Sequence, residues 1–215
     1  MNKVLRSLVL SDLFMLSGFG LLQPIFAIFM LAKIHGATLT TIGIATSIQL
    51  LTKAILQIFI ARWADCRPGN CRELYTIIVG SVVISFIPLG YLFSSTVNDI
   101  YLIQFIYGVG QALSNPTWRA IFSNYLDHGK ASYEWGVYDT IVSIGTAIAA
   151  ALGASIAQKF GFNIIFIIVS LASFVGTAFL FVIFRQEFTC RINFKTTRKI
   201  VEALHAIEQR LPNHF

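Results

Sequence analysis

Charge is what this sequence most lacks. Asp, Glu, Lys and Arg make up 12% of its 215 residues, against roughly 25% in a soluble domain. Mean hydropathy is +0.72. Together these exclude a soluble globular core and point to a polytopic membrane protein. The formal net charge of +6 is not a nucleic-acid signal, because the basic residues are spread between apolar runs. Cysteine is also scarce. Cys66 and Cys71 have no second ligand pair, so no metal site is expected. With Cys190 they fall on the expected cytoplasmic side, as reduced thiols. His35, His128, His205 and His214 lie outside the apolar runs, which removes an intramembrane Ser–His protease. Gly18-Phe19-Gly20 is followed by Leu21, where an intramembrane aspartyl protease needs aspartate. No phosphate loop and no carbonyl filter is present. Neither an enzyme nor a cofactor is expected.

What the chain does have is length of apolar run. Six runs can be drawn, at Leu8–Leu31, Leu39–Ile60, Leu74–Phe93, Ile100–Phe122, Val137–Ala157 and Ile164–Phe184. Each meets the roughly 20 residues a helix needs to cross a bilayer. They are too long and continuous for barrel strands. The expected fold is therefore all-α, with six transmembrane helices over 1–185 and a basic tail over 186–215. The first run is too long for a signal h-region and lacks a small-x-small cleavage site, so it counts as a span.

Basic residues choose the orientation. If six helices alternate, Lys3, Arg6, Arg62, Arg67, Arg72, Arg119, Lys130 and the tail cations share one face. Lys33 and Lys159 take the other. By the positive-inside rule both termini are cytoplasmic, in a plasma or inner membrane. In the tail, Ile200, Leu204, Ile207 and Leu211 recur at helical spacing, as in an amphipathic helix on the inner membrane surface.

Polar residues inside the runs are the candidates for function. Asp12 stands near the cytoplasmic end of the first run, equally suited to headgroups or to the interior. Pro24 should bend that helix. Thr46, Gln49, Lys53 and Gln57 fall on one helical stripe. A lysine at mid-helix costs about 2.5–3.5 kcal/mol on insertion scales, so this stripe should meet protein or water. The alternative is that Lys53 snorkels. Gln23, Gln111 and Asn115 add polar groups near mid-depth. Gln23, Gln49, Lys53, Gln57, Gln111 and Asn115 are the substrate-pathway candidates, and Lys53 would suit an anion. The third run carries no charge and reads as a peripheral or packing helix. The fifth is rich in Ala and Gly, which allows close helix contact.

The most polar stretch before the tail is Ala61–Glu73, with turn residues Pro68, Gly69 and Asn70. An arginine-rich loop here already serves to fix topology. Its pattern Ala-x-x-Ala-Asp-x-x-x-Gly-x-x-Arg also resembles the loop motif of the major facilitator superfamily, Gly-x-Leu-Ala-Asp-Arg-x-Gly-Arg-Arg. Ala61 takes the first glycine's place, Cys66 the arginine's, and Gly69 comes one place late. Gln104–Ala112 resembles the same family's fourth-span motif, Arg-x-x-Gln-Gly-x-Gly-Ala-Ala. Gly108, Gly110 and Ala112 match, while Gln104 replaces the arginine and Tyr107 the glutamine. That arginine is linked to proton antiport in the family, so antiport is put in doubt.

The resemblance spans Leu8–Phe184 and corresponds to one six-helix half of a typical member. It implies two inverted three-helix repeats. The Ala154–Gly161 segment echoes Ala61–Gly69 about 93 residues away, on the opposite face, as inverted repeats would place it. It also implies a transporter of a small-molecule solute working by alternating access. As a lone half it would need a partner, either a second copy (a homo-oligomer) or another half-transporter chain. Asp65, Arg72, Gln104, Gly108, Arg119 and Asp139 become the loop-motif and gating candidates, with Arg119 and Asp139 near enough to one face to pair. The competing class is a non-transporting six-helix scaffold, a regulator, or a degenerate half-transporter.

Overall fold

The computed structural model describes residues 3–65, 72–127 and 129–181, and all its regular structure there is helical. The helices are α1 (Lys3–Leu22), α2 (Phe26–Lys33), α3 (Leu39–Asp65), α4 (Arg72–Phe93), α5 (Val97–Asn124) and α6 (Ala131–Phe160), then α7 (Phe162–Phe181). Among the described residues seven helices stand where six spans were expected, because the first apolar run is broken. Residues 23–25, including Pro24, form a turn between α1 and α2. Proline has no N–H to continue the helix ladder, and its ring clashes with the preceding turn. Pro88 and Pro116, by contrast, are carried inside α4 and α5.

Five helices are long and apolar enough to cross a membrane: α1, α3, α4, α6 and α7. At 28 residues α5 is long enough, but Gln104, Gln111, Ser114, Asn115 and Thr117 dilute its hydropathy. Helix ends follow local chemistry. The Thr96 hydroxyl accepts from the Asp99 N–H, and the Asp99 carboxylate accepts from the N–H groups of Thr96 (2.9 Å) and Ser95 (3.0 Å). This capping box satisfies donors that begin α5, and it holds the Asp99 carboxyl below the usual carboxylate range. Gly161, at φ 81°, turns the chain sharply from α6 into α7, a backbone conformation that favours glycine.

The order of chain reversals gives the bundle two ends. One carries Lys3, the α3–α4 and α5–α6 connections, and the end of α7. The other carries α2 and the remaining connections. At this second end the His35 N–H donates to the Ser95 carbonyl at 3.2 Å, tying two loops together. Each end has its own apolar cluster. Leu5, Leu8, Ile77, Phe122 and Leu180 pack at the Lys3 end. Phe29, Met30, Tyr91, Phe166 and Val169 pack at the other, with Phe29 edge-on to Phe166 at 4.7 Å.

Lipid tails are as apolar as leucine, so small residues and hydroxyls must hold such helices together. Gly108 of α5 lies so close to α3 that a Cβ would come within 2.6 Å of the Gln49 carbonyl oxygen. Gly153 of α6 meets the Leu21 backbone of α1 in the same manner. Buried hydroxyls join α4 to its neighbours: Ser81 to Ser114 of α5 (3.3 Å) and Ser85 to Thr177 of α7 (3.1 Å). The uncharged third run is thus a central packing element, with half of its apolar window buried. In α3 only 6% of that window is buried.

Candidate functional site

Two cavities lie along the bundle, walled chiefly by α1, α5 and α6. The first, about 600 Å³, sits toward the Lys3 end. Three charged groups line it: Asp12 from α1, Arg119 from α5 and Asp139 from α6. Asp12 is half-buried, and its carboxylate accepts a 2.7 Å hydrogen bond from the Tyr138 hydroxyl. A hydrogen bond to an ionised acceptor is roughly twice as strong as a neutral one. It fixes both side chains across the α1–α6 gap. Around them stands an aromatic cluster. Trp118 stacks on Phe122 at 4.9 Å and lies 4.9 Å from Tyr138, while Trp135 lies 4.4 Å from Phe122. Trp118 is buried, and among the described residues its indole Nε1, itself out of reach of solvent, has no hydrogen-bond partner.

The second cavity, about 450 Å³, lies toward the opposite end, and among the described residues no Asp, Glu, Lys or Arg lines it. Its polar groups are amides and hydroxyls, from Gln23, Thr46, Gln49, Gln104 and Thr146 among others. Gln104 is buried, and its Oε1 has no partner. Phe19 and Tyr107 line both cavities. Their rings stack at 5.2 Å with planes 9° apart, bridging α1 and α5 where the cavities meet.

The structure distributes the sequence candidates unevenly. Gln111 and Asn115 line the first cavity, with Arg119 and Asp139; Gln23, Gln49 and Gln104 line the second. The Gln49 amide donates to Gln111 at 3.0 Å, linking α3 and α5. Lys53 and Gln57 are half-buried on α3 and line neither cavity. The polar stripe on α3 therefore divides: Thr46 and Gln49 line the second cavity, and Lys53 and Gln57 line neither of the two. Gly108 lies in the α3–α5 contact rather than in a cavity wall. The Asp65 and Arg72 backbones end α3 and begin α4. Their side chains, the loop between them and the basic tail lie outside the described residues. Among the described residues no three His, Cys, Asp or Glu side chains converge as a metal site requires.

Sequence reasoning passed over Phe19, Trp118, Trp135 and Tyr138, and left Asp12 undecided. An available signal was aromatic and charged residues side by side: Trp118-Arg119 in the last two turns of α5 and Tyr138-Asp139 in the third turn of α6.

Among curated proteins no sequence match is found. Solved structures do match. The POT family transporter PepTSo superposes with a TM-score of 0.71 at 15% identity, covering 85% of this chain and 37% of that one. An auto-inhibited POT family peptide transporter gives 0.66 at 14% identity, with 84% and 37% covered. The chain thus spans little more than a third of those proteins, and at such identity the likeness is one of fold. The sequence pattern of the Major Facilitator Superfamily matches residues 8–211. Nearly the whole described helical bundle falls inside that match, and the chain belongs to the Major Facilitator Superfamily.

Proposed function

We propose that this chain is one six-span half of a membrane transporter, which moves a small solute by alternating access together with a second six-helix unit. The observation that carries the reading is the pair of cavities in line, divided by the Phe19–Tyr107 stack. Six spans follow if α1 and α2 form one broken span and α5 also crosses. Twenty-eight helical residues reach roughly 42 Å, ample for a core of about 30 Å.

Helix packing supports inverted repeats. Exchanging the first three spans with the last three turns the α3–α5 contact into the α1–α6 contact, both of which occur. The same exchange turns α4–α5 into α1–α7, where Gly176 meets the Ser11 carbonyl. Lys3, Arg6, Arg62, Arg119 and Lys130 gather at one end, against Lys33 and Lys159 at the other. This favours cytoplasmic termini in a plasma or inner membrane.

A partner unit is inferred from α3. Its exposed face includes Leu50, Leu51, Ile55 and Phe59, and Lys53 and Gln57 stand half-buried beside them. A polar stripe so placed is unfavourable against lipid. A second copy or another half-transporter chain would cover it and complete the pathway. The reading is of a carrier, not an enzyme. Two measurements on the full chain in lipid nanodiscs and proteoliposomes test it. A native mass of two units, with solute counterflow into proteoliposomes, is expected. A strictly monomeric chain of 23.9 kDa with no flux would return the protein to the scaffold class.

A further inference from the structure

We infer that the first cavity binds a monovalent organic cation with an aromatic or apolar body. The inference deepens the carrier reading by naming its substrate class. It starts from a charge count: among the described residues, two carboxylates, Asp12 and Asp139, line the cavity with one guanidinium, Arg119. The wall therefore carries an excess of one negative charge. Lys53, the cation that would favour an anionic solute, lines neither cavity.

The rest of the wall fits the same ligand. Phe19, Tyr107, Trp118, Trp135 and Tyr138 present five aromatic rings. Aromatic faces carry negative potential and attract cations, above all weakly hydrated quaternary ammonium groups. A volume of about 600 Å³ is in the range that holds a drug-sized molecule. The 2.7 Å bond from Tyr138 holds the Asp12 carboxylate in place, so it is set before a ligand arrives. The second cavity has the amides but, among the described residues, lacks any such charge. A cation is thus favoured on one side of the Phe19–Tyr107 stack.

The test is equilibrium binding to the full chain in nanodiscs, read by quenching of Trp118 and Trp135 in a Trp63→Phe background. The probes are benzyltrimethylammonium, benzenesulfonate as an anion of similar size, and benzyl alcohol as a neutral ring. Saturable binding of the ammonium alone is expected. Asp12→Asn should weaken it about tenfold and Asp139→Asn several-fold. Arg119→Gln should tighten it about threefold, an opposite sign that no loss of folding would produce. Size-exclusion profiles matching the parent chain confirm that each variant is folded. Preference for benzenesulfonate, absence of saturable ammonium binding, or weaker binding in Arg119→Gln would overturn the inference. Because binding is measured without flux, the two readings separate. Cation binding without transport defeats the carrier reading alone, and transport of an anion without cation binding defeats this inference alone.

Discussion

The two cavities differ in chemistry more than in size. The one toward the Lys3 end has three charged side chains and a cluster of indole and phenol rings. Its counterpart has amides and hydroxyls and, among the described residues, no Asp, Glu, Lys or Arg. Both share walls from α1, α4, α5 and α6, the second adding α2 and α3, and Leu16, Phe19 and Tyr107 line both. The difference shows what each can hold. A charged cavity can capture an ion; an amide-lined one can solvate it weakly and release it. Conduction of a solute needs both, since a site must be favourable enough to enter and weak enough to leave.

The sharpest way to break this contrast is to remove the wall. Replacing both Phe19 and Tyr107 by Ala should merge the cavities. Loss of two half-buried stacked rings should lower stability by about 3 kcal/mol, measured by thermal unfolding in detergent. The effect on solute retention should be larger still, as a leak across vesicles that the parent chain holds tight.

Next in size is the charged side alone. Tyr138→Phe removes the donor to Asp12, and a hydrogen bond to a charged group is worth about 2 kcal/mol. Unfolding of this variant should begin at lower temperature, while a label on the second cavity reports no change.

The amide side should respond less. Gln49→Leu breaks the bond to Gln111, and intramembrane side-chain hydrogen bonds average about 0.6 kcal/mol. A small drop in midpoint, with altered exposure of a probe at position 46, is the expected result. An effect as large as that of Tyr138→Phe would mean the two cavities are not energetically distinct.

The smallest effect lies outside both cavities. Asp99 caps α5 as a carboxylate held below its usual range by the Ser95 and Thr96 N–H groups. A depressed carboxyl contributes stability above its unfolded pKa of about 3.9 and loses it as pH falls through the lower folded value. The thermal midpoint should therefore slope downward below about pH 4. Asp99→Asn should flatten that slope.

How far the sequence foresaw this is uneven, for physical reasons. Helix number and position were largely legible, because apolar length is a local property of the chain. The break at Pro24 was expected as a bend and is a full turn, with Leu21 and Leu22 before it and Phe29 and Met30 after it packed in one apolar cluster. The α3 stripe was read as one pathway wall. Periodicity fixes which residues share a helix face, but not where a neighbouring helix ends its cover, and so Lys53 and Gln57 fall outside the cavities. Asp12 and the aromatic cluster were harder. Asp12 and Tyr138 are 126 positions apart, and no local pattern announces their meeting. Gln104 and Tyr107 drew notice only as departures from a family motif. Their placement at a cavity and at its wall gives those departures a physical setting.

The division by Phe19 and Tyr107 is tested most directly by accessibility. With Cys66, Cys71 and Cys190 replaced by Ser, Gln23→Cys places one thiol in the second cavity. A membrane-impermeant maleimide is then applied from the side that carries the N-terminus. In the chain with both rings intact that thiol should stay unlabelled, and in the Phe19→Ala, Tyr107→Ala chain it should be labelled quickly. Equal labelling rates in the two chains would contradict a sealed wall, and with it the reading of two cavities in series along one transport path.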